Sequence, residues 1–240
     1  MKVVIDHKFN NLTDFISEIP ALMDKGEGEV IYDKRNKVVK FQCQGQTLLV
    51  KRYKNVNAIQ QVVYTFFRRT KAERAYLFAQ IYANRGIDTP QRVAYMERKR
   101  RNLFLTGYFV SLEVEGIEAH LLLREVKDYD PTLAEAVAKQ VVHMHSRGVL
   151  HGDLNLSNFL CRTETDGYHF TMIDTNRSKF CDGFPTDEQC LKNMVRLTHR
   201  RDLYEDIVRR YARLRGWNGD ITAKKALDLL DQFEKRRFRL

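Results

Sequence analysis

The sequence has no C-x-x-C pair and no Cys/His group at zinc-binding spacing. Its four cysteines, Cys43, Cys161, Cys181 and Cys190, stand apart. That pattern predicts reduced, mostly buried thiols in a cytosolic protein rather than a disulfide framework or a zinc site. No apolar run approaches the roughly 18 residues a membrane span needs. The longest, Leu103 to Val114, is broken by Thr106, Gly107 and Glu113. The N-terminal MKVVIDHKFNN has no apolar core, which predicts no signal peptide. Internal repeats and low-complexity linkers are absent as well, which leaves no solenoid or disordered reading.

What is present is globular. Hydrophobic residues make up 43% and charged residues 30% of 240 residues, enough chain for one large domain or two small lobes. Lys and Arg number 41 against 31 Asp and Glu, a formal charge of +10. Such a balance points to an anionic partner: a nucleotide, a nucleic acid or a phosphate-rich membrane.

The first half reads as strands. Glu29–Lys34, Val38–Gln42 and Thr47–Tyr53 are rich in Val, Leu, Tyr and Phe and are separated by Arg35–Asn36–Lys37 and Gln44–Gly45–Gln46. A helix follows from about Arg68 to Arg85, closed by Gly86 and Pro90. Two strands come next, near Arg92–Glu97 and Phe104–Val114, with Glu97–Arg101 as a solvated turn. In the second half, Asp130–Pro131 starts a helix whose Leu133, Val137, Val141 and Met144 share a face, and Gly148 ends it. Short strands at Phe159–Arg162 and His169–Ile173 precede helices from about Asp187 to the end. His143 and His145, at the end of the long helix, read as neutral rather than as metal ligands. The expectation is an α+β chain with residues 1–115 as a sheet lobe carrying one main helix, residues 116–240 as a mainly helical lobe, and a hinge at Glu113–Gly116.

The chemistry sits in His151-Gly152-Asp153-Leu154-Asn155-Leu156-Ser157-Asn158, an H-x-D-x-x-x-x-N loop of the protein-kinase-like type. Phosphoryl transfer needs a carboxylate beside the attacking hydroxyl and an oxygen donor a few residues on to hold magnesium. Asp153 fits the first role and Asn158 the second. Asp174 ends an apolar strand 21 residues after Asp153, where a second magnesium ligand belongs. Upstream, Leu48-Leu49-Val50-Lys51 places Lys51 to hold ATP phosphates, and Glu73, 22 residues on, is placed to hold Lys51. His151 supports the loop and carries no proton.

Three features depart from regulated protein kinases. No glycine-rich loop follows the first strand; the turn there is Asp33-Lys34-Arg35-Asn36-Lys37. That turn is either a basic substitute for glycine contacts or a solvated hairpin. Gly152 stands where such kinases carry an arginine that pairs with a phosphorylated loop, so activation by that route is not expected. No A-P-E element occurs, and only about a dozen residues separate Asp174 from a helix near Thr186. A segment that short favours a small or glycosidic hydroxyl over a peptide acceptor.

HGDLNLSN at 151–158 followed by IDTNR at 173–177 resembles the lipopolysaccharide core kinases, which act on Kdo (3-deoxy-D-manno-octulosonic acid) and heptose. LLVKRY at 48–53, Glu73 through Gly86-Ile87-Asp88-Thr89-Pro90, and NMVRL at 193–197 resemble the same family, over about residues 28 to 200. Asn176 departs from the family's usual Asp. The resemblance implies a cytoplasmic enzyme, peripheral on the inner face of the inner membrane. It would use ATP and Mg²⁺ to phosphorylate a sugar hydroxyl linked to lipid A, with no specific nucleic acid partner. The basic runs Arg68–Lys71, Arg98–Arg101, Arg196–Arg201, Arg209–Arg215 and Lys235–Arg239 are available to anionic lipid or phosphorylated sugar, although a single charge run is more often just a solvated helix face. Arg177 is the one acceptor-reading candidate, and equally a candidate structural partner of a carboxylate. Two readings stand beside this one. A small atypical kinase of the tRNA-modification type also uses an HGDL-x-x-S-N loop, but Asp174-Thr175-Asn176 lacks the Phe-Gly that surrounds its aspartate. A pseudokinase scaffold on anionic lipid would explain the missing glycine loop, against the intact Lys51, Asp153, Asn158 and Asp174.

Overall fold

The computed structural model describes residues 1–237. Phe238, Arg239 and Leu240 lie outside the described residues, and with them the end of the basic run Lys235–Arg239. The chain forms two compact units, one of Met1–Asn84 with Pro90–Val114, the other of Arg85–Thr89 with the residues from Glu115 onward.

The first unit contains β1 (Lys2–Ile5), α1 (Thr13–Lys25), β2 (Glu29–Asp33), β3 (Lys37–Cys43), β4 (Gln46–Arg52), α2 (Ala58–Phe66), α3 (Lys71–Asn84), β5 (Arg92–Arg100) and β6 (Leu103–Leu112). The strands make one six-stranded sheet in the order β1-β5-β6-β4-β3-β2, with every pairing antiparallel. Side chains alternate across the pleat, and the two faces bury different helices. Leu48 and Val50 of β4 join Ile16, Ile19 and Met23 of α1 on one face. Lys51 points the other way, in a row with Phe109 and Tyr95 across the register. That second face carries α3, through Ala72 and Tyr76 packed on Tyr53 and Tyr95.

Two turns set the register. Gln44–Gly45 and Arg101–Asn102 both have positive φ at each residue, the mirror-image turn that matches strand twist. The second of these confines the hairpin tip to two residues. Glu97 is consequently not in the turn, as the charge run suggested, but inside β5 and 6% exposed. Its carboxylate accepts from the Thr70 hydroxyl at 2.7 Å, and the same hydroxyl accepts from the Glu73 main-chain N–H at 3.1 Å. Thr70 thus caps α3 and ties it to the sheet. Two helices join the expected one. α1 runs through Pro20 and stops at Gly26, whose φ of 82° provides its left-handed cap. α2 has no buried residue.

The second unit contains β7 (Ile117–Glu118), α4 (Ala119–Leu123), α5 (Pro131–Ser146), β8 (Val149–Leu150), β9 (Phe159–Glu164), β10 (Gly167–Met172), β11 (Lys179–Phe180), α6 (Asp187–Met194), α7 (Arg201–Leu214) and α8 (Gly219–Arg237). β10-β9-β7 and β11-β8 form two small sheets. Asp130 caps α5 by accepting from the Thr132 N–H, with Pro131 in the first turn. Leu133, Val137, Val141 and Met144 are all buried, as their spacing predicts. Leu203, Ile207 and Val208 form the buried face of α7. Arg85–Thr89 belongs with this unit because Arg85 donates to the carbonyls of Arg147, Gly148 and Cys181, and the Thr89 hydroxyl donates to that of Met172.

Candidate functional site

In the second unit the loop 151–158 is held from three sides. His151 is fully buried. Its Nδ1 accepts from the Asp153 N–H at 3.2 Å, so Nε2 carries the proton it donates to the Ile173 carbonyl at 2.9 Å. Burial holds this imidazole below its ordinary pKa, which keeps it neutral and preserves that tautomer. His151 therefore clasps the loop to the strand that ends at Asp174. It is a support, as expected.

Asn158 is 8% exposed. Its side-chain N–H donates to the Asp153 carbonyl at 2.7 Å, and its own carbonyl accepts from the Ile173 N–H at 3.0 Å. With the amide nitrogen committed, Oδ1 is the atom left to meet a cation. Asp174 follows Ile173 directly and has an exposed side chain on a left-handed backbone, φ 58° and ψ 37°. A non-glycine residue in that region is uncommon, and such conformations gather at functional sites. The structure thus brings Asn158 and the Asp174 segment side by side. A neutral amide oxygen and a carboxylate make an oxygen-only donor set suited to magnesium, so the residues present fit that ion.

The carboxylate of Asp153 lies between two arginines. Arg177 Nη1 is 3.5 Å from Oδ2, and Arg196 Nη1 is 3.5 Å from Oδ1. Both guanidiniums remain about two-fifths exposed, and Arg196 also covers the Phe233 ring at 4.9 Å. Two positive charges meet one negative charge here, so this spot is cationic. Gly152 explains how Arg177 arrives. A Cβ on Gly152 would lie 2.1 Å from the Arg177 carbonyl oxygen. Glycine is needed there to seat the 3₁₀ turn Thr175–Arg177 against the loop. Asn176 is buried in that turn, where an amide avoids the cost of desolvating a carboxylate.

Behind the loop lies a network that the sequence reading did not assign. Asn193, on α6, donates to the His151 carbonyl at 2.7 Å, and its Oδ1 accepts from His145 Nε2 at 3.1 Å. Nδ1 of His145 then accepts from the Tyr211 hydroxyl at 2.8 Å. Burial pushes the His145 pKa down to about 4, which fixes it neutral. His143, the other helix-end histidine, lies 2.9 Å from the Gly86 carbonyl. The only sequence signal for this network is the NMVRL segment, which contains both Asn193 and Arg196.

In the first unit, Lys51 stands on the sheet face covered by α3, with Nζ 5.8 Å from the Tyr53 ring centre. Glu73 is in the first turn of α3. The two residues therefore belong to a helix and a strand packed on the same face. The turn between β2 and β3 lines a cavity of about 440 Å³ in which Asp24 and Asp33 face six Lys and Arg side chains, Lys34 and Arg35 among them.

No curated protein matches the chain. Among solved structures, "WaaP in complex with acyl carrier protein" matches with a TM-score of 0.63 at 18% identity, covering 100% of this chain and 99% of that one. That likeness extends over the whole chain and shows the kinase-like α+β fold. The model of the lipopolysaccharide kinase (Kdo/WaaP) family matches residues 26–214. The chain belongs to the lipopolysaccharide kinase (Kdo/WaaP) family and is a kinase.

Proposed function

We propose that this kinase transfers the γ-phosphoryl group of ATP to a hydroxyl of an acidic core sugar, Kdo rather than heptose, on its lipid-linked acceptor at the inner face of the inner membrane. The observation that carries this reading is the pair Arg177 and Arg196 around Asp153. Asp153 orients the attacking hydroxyl and receives its proton. A sugar carboxylate near that hydroxyl would meet two exposed guanidiniums whose contacts with Asp153 are long. Arginine forks suit carboxylates, and a neutral heptose would leave the excess positive charge unanswered.

The remaining roles follow the same chemistry. Asn158 Oδ1 and the Asp174 carboxylate would hold a magnesium ion, which offsets negative charge on the phosphates. Lys51 orients the α- and β-phosphates, and Glu73 fixes the direction of Lys51. His151 keeps Asp153 and Asp174 in register without moving a proton. The short path from Asp174 to Asp187 supports a sugar acceptor over a peptide, since little chain is available to form a peptide platform.

The test compares phosphate transfer to a Kdo-terminated acceptor and to its carboxamide. The acid should be favoured by about tenfold or more, the effect of losing one charge-assisted contact, and Arg177→Gln should erase most of that preference while leaving the KM for ATP unchanged. Equal transfer to acid and amide would remove the carboxylate-reading role of Arg177 and Arg196, and transfer to neither would remove the assignment of Kdo.

A further inference from the structure

The five basic runs are not equivalent. Most of the arginines on α7 and its flanks are answered by acids. Arg209 pairs with Glu205 and Asp220, Arg210 and Arg213 with Glu135, Arg201 with Asp231 and Glu234, and Arg200 with Asp202. In the first unit the balance is different. Residues 34–72 contain ten Lys and Arg and no Asp or Glu. Arg68 and Arg69 at the end of α2, and Lys99, Arg100 and Arg101 at the β5–β6 turn, are exposed and have no acidic partner among the described residues.

α2 runs directly into the first set, and its Thr65 is bonded to Phe104 beside the β5–β6 turn that carries the second. Its contacts with the sheet are made through Tyr64, packed edge-on to Phe104 at 5.6 Å, and through the Thr65 hydroxyl, which accepts from the Phe104 N–H. At 100° per residue, Ile59, Val62, Val63 and Phe66 share the opposite face. Ile59 is 76% exposed and Phe66 68%, and the neighbouring Phe67 is 81% exposed. The helix is therefore inverted relative to a core helix, with its apolar stripe outward and Thr65 inward.

We infer that α2, with Phe67 and the flanking arginines, is a docking element for an anionic phospholipid bilayer. Outward aromatic and β-branched side chains on a helix of about 14 Å would enter the boundary between headgroups and acyl chains. Arg68 and Arg69 follow the stripe directly and the turn with Lys99, Arg100 and Arg101 adjoins α2 through Phe104, so these five cations would be available to lipid phosphates. The charge complementarity selects an anionic surface over a neutral one. This inference deepens the proposed reading and rests on its lipid-linked acceptor, because a docked sheet unit keeps the enzyme at the surface where that acceptor lies.

The test is co-sedimentation of the full chain with vesicles of phosphatidylcholine alone and of phosphatidylcholine mixed with phosphatidylglycerol. The chain should pellet with the anionic vesicles and stay in solution with the neutral ones. Phe66→Ser with Phe67→Ser should lower the partition coefficient about tenfold or more. Arg68→Gln with Arg69→Gln should lower it too and flatten its salt dependence. Both double variants should keep their thermal midpoint and their transfer to a water-soluble acceptor, since none of these residues is buried. Equal pelleting of the parent and the phenylalanine variant would overturn the inference. So would a failure to bind anionic vesicles, or a dimer or an acidic-protein complex that the phenylalanine variant abolishes. Absence of transfer by the parent chain, with its vesicle binding intact and sensitive to the phenylalanine variant, would count against the proposed acceptor and leave the docking inference standing.

Discussion

The side-chain amide of Asn193 donates to the main-chain carbonyl of His151 over 2.7 Å while its oxygen accepts from His145. One residue on α6 thereby holds the loop that carries Asp153 to the end of α5. Asn193→Leu leaves the His151 carbonyl and the His145 N–H without partners in the interior. The expected cost is about 1–3 kcal/mol of stability, read as a lower urea midpoint at unchanged slope. Transfer should fall with it, because the loop loses its rear support.

His145 also sets a pH dependence. Its pKa falls from the ordinary 6.5 to about 4 in the folded chain, so between those values the unfolded chain binds a proton that the folded chain refuses. Stability should therefore decline as pH drops from about 6.5 towards 4 and level off below that. The full effect is about 3 kcal/mol. Urea titrations of the parent and of His145→Gln at pH 7 and pH 5 measure it, and the variant should show the smaller difference between the two.

Gly152 is a packing requirement. In Gly152→Ala the new methyl would meet the Arg177 carbonyl oxygen at 2.1 Å, and neither backbone can yield without moving Asp153 or the 3₁₀ turn. Displacing these groups by about 1 Å should reduce transfer about a hundredfold. Nucleotide affinity, read by thermal shift, should change far less. The absence of an arginine at this position thus has a steric cause in addition to any regulatory consequence.

Asp153→Asn keeps the shape of the site and removes the carboxylate proposed to accept the proton. The expected loss in transfer rate is about 10² to 10⁴, with ATP affinity retained. The variant also frees Arg177 and Arg196 from their carboxylate, so binding of the acidic acceptor should tighten even as turnover collapses.

Much of this was legible in the sequence because it depends on local chemistry. The H-x-D-x-x-x-x-N spacing, the Asp130–Pro131 helix start and the alternating strands each express a short-range rule, and the structure places the helix start and the strands as read. What stayed hidden depends on long-range partners. Glu97 looked like part of a solvated turn, yet it is buried because Thr70, 27 residues earlier, answers its carboxylate. Asn193 lies 42 residues from His151 and Arg196 lies 43 from Asp153, and only the NMVRL segment they share marks them in the sequence. α1 was obscured by Pro20, which weakens a helical reading locally while its burial against the sheet compensates. α2 was missed because its apolar stripe faces outward and lacks the company of a core.

The central claim is transfer to an acidic, lipid-linked sugar, and the direct measurement is incorporation of label from γ-labelled ATP into Kdo-linked lipid A, with Asp153→Ala and a generic protein acceptor beside it. The account predicts label in the glycolipid, none in the protein acceptor and none with the variant. Measurable ATP binding with an unlabelled glycolipid, or label that persists in Asp153→Ala, would contradict it.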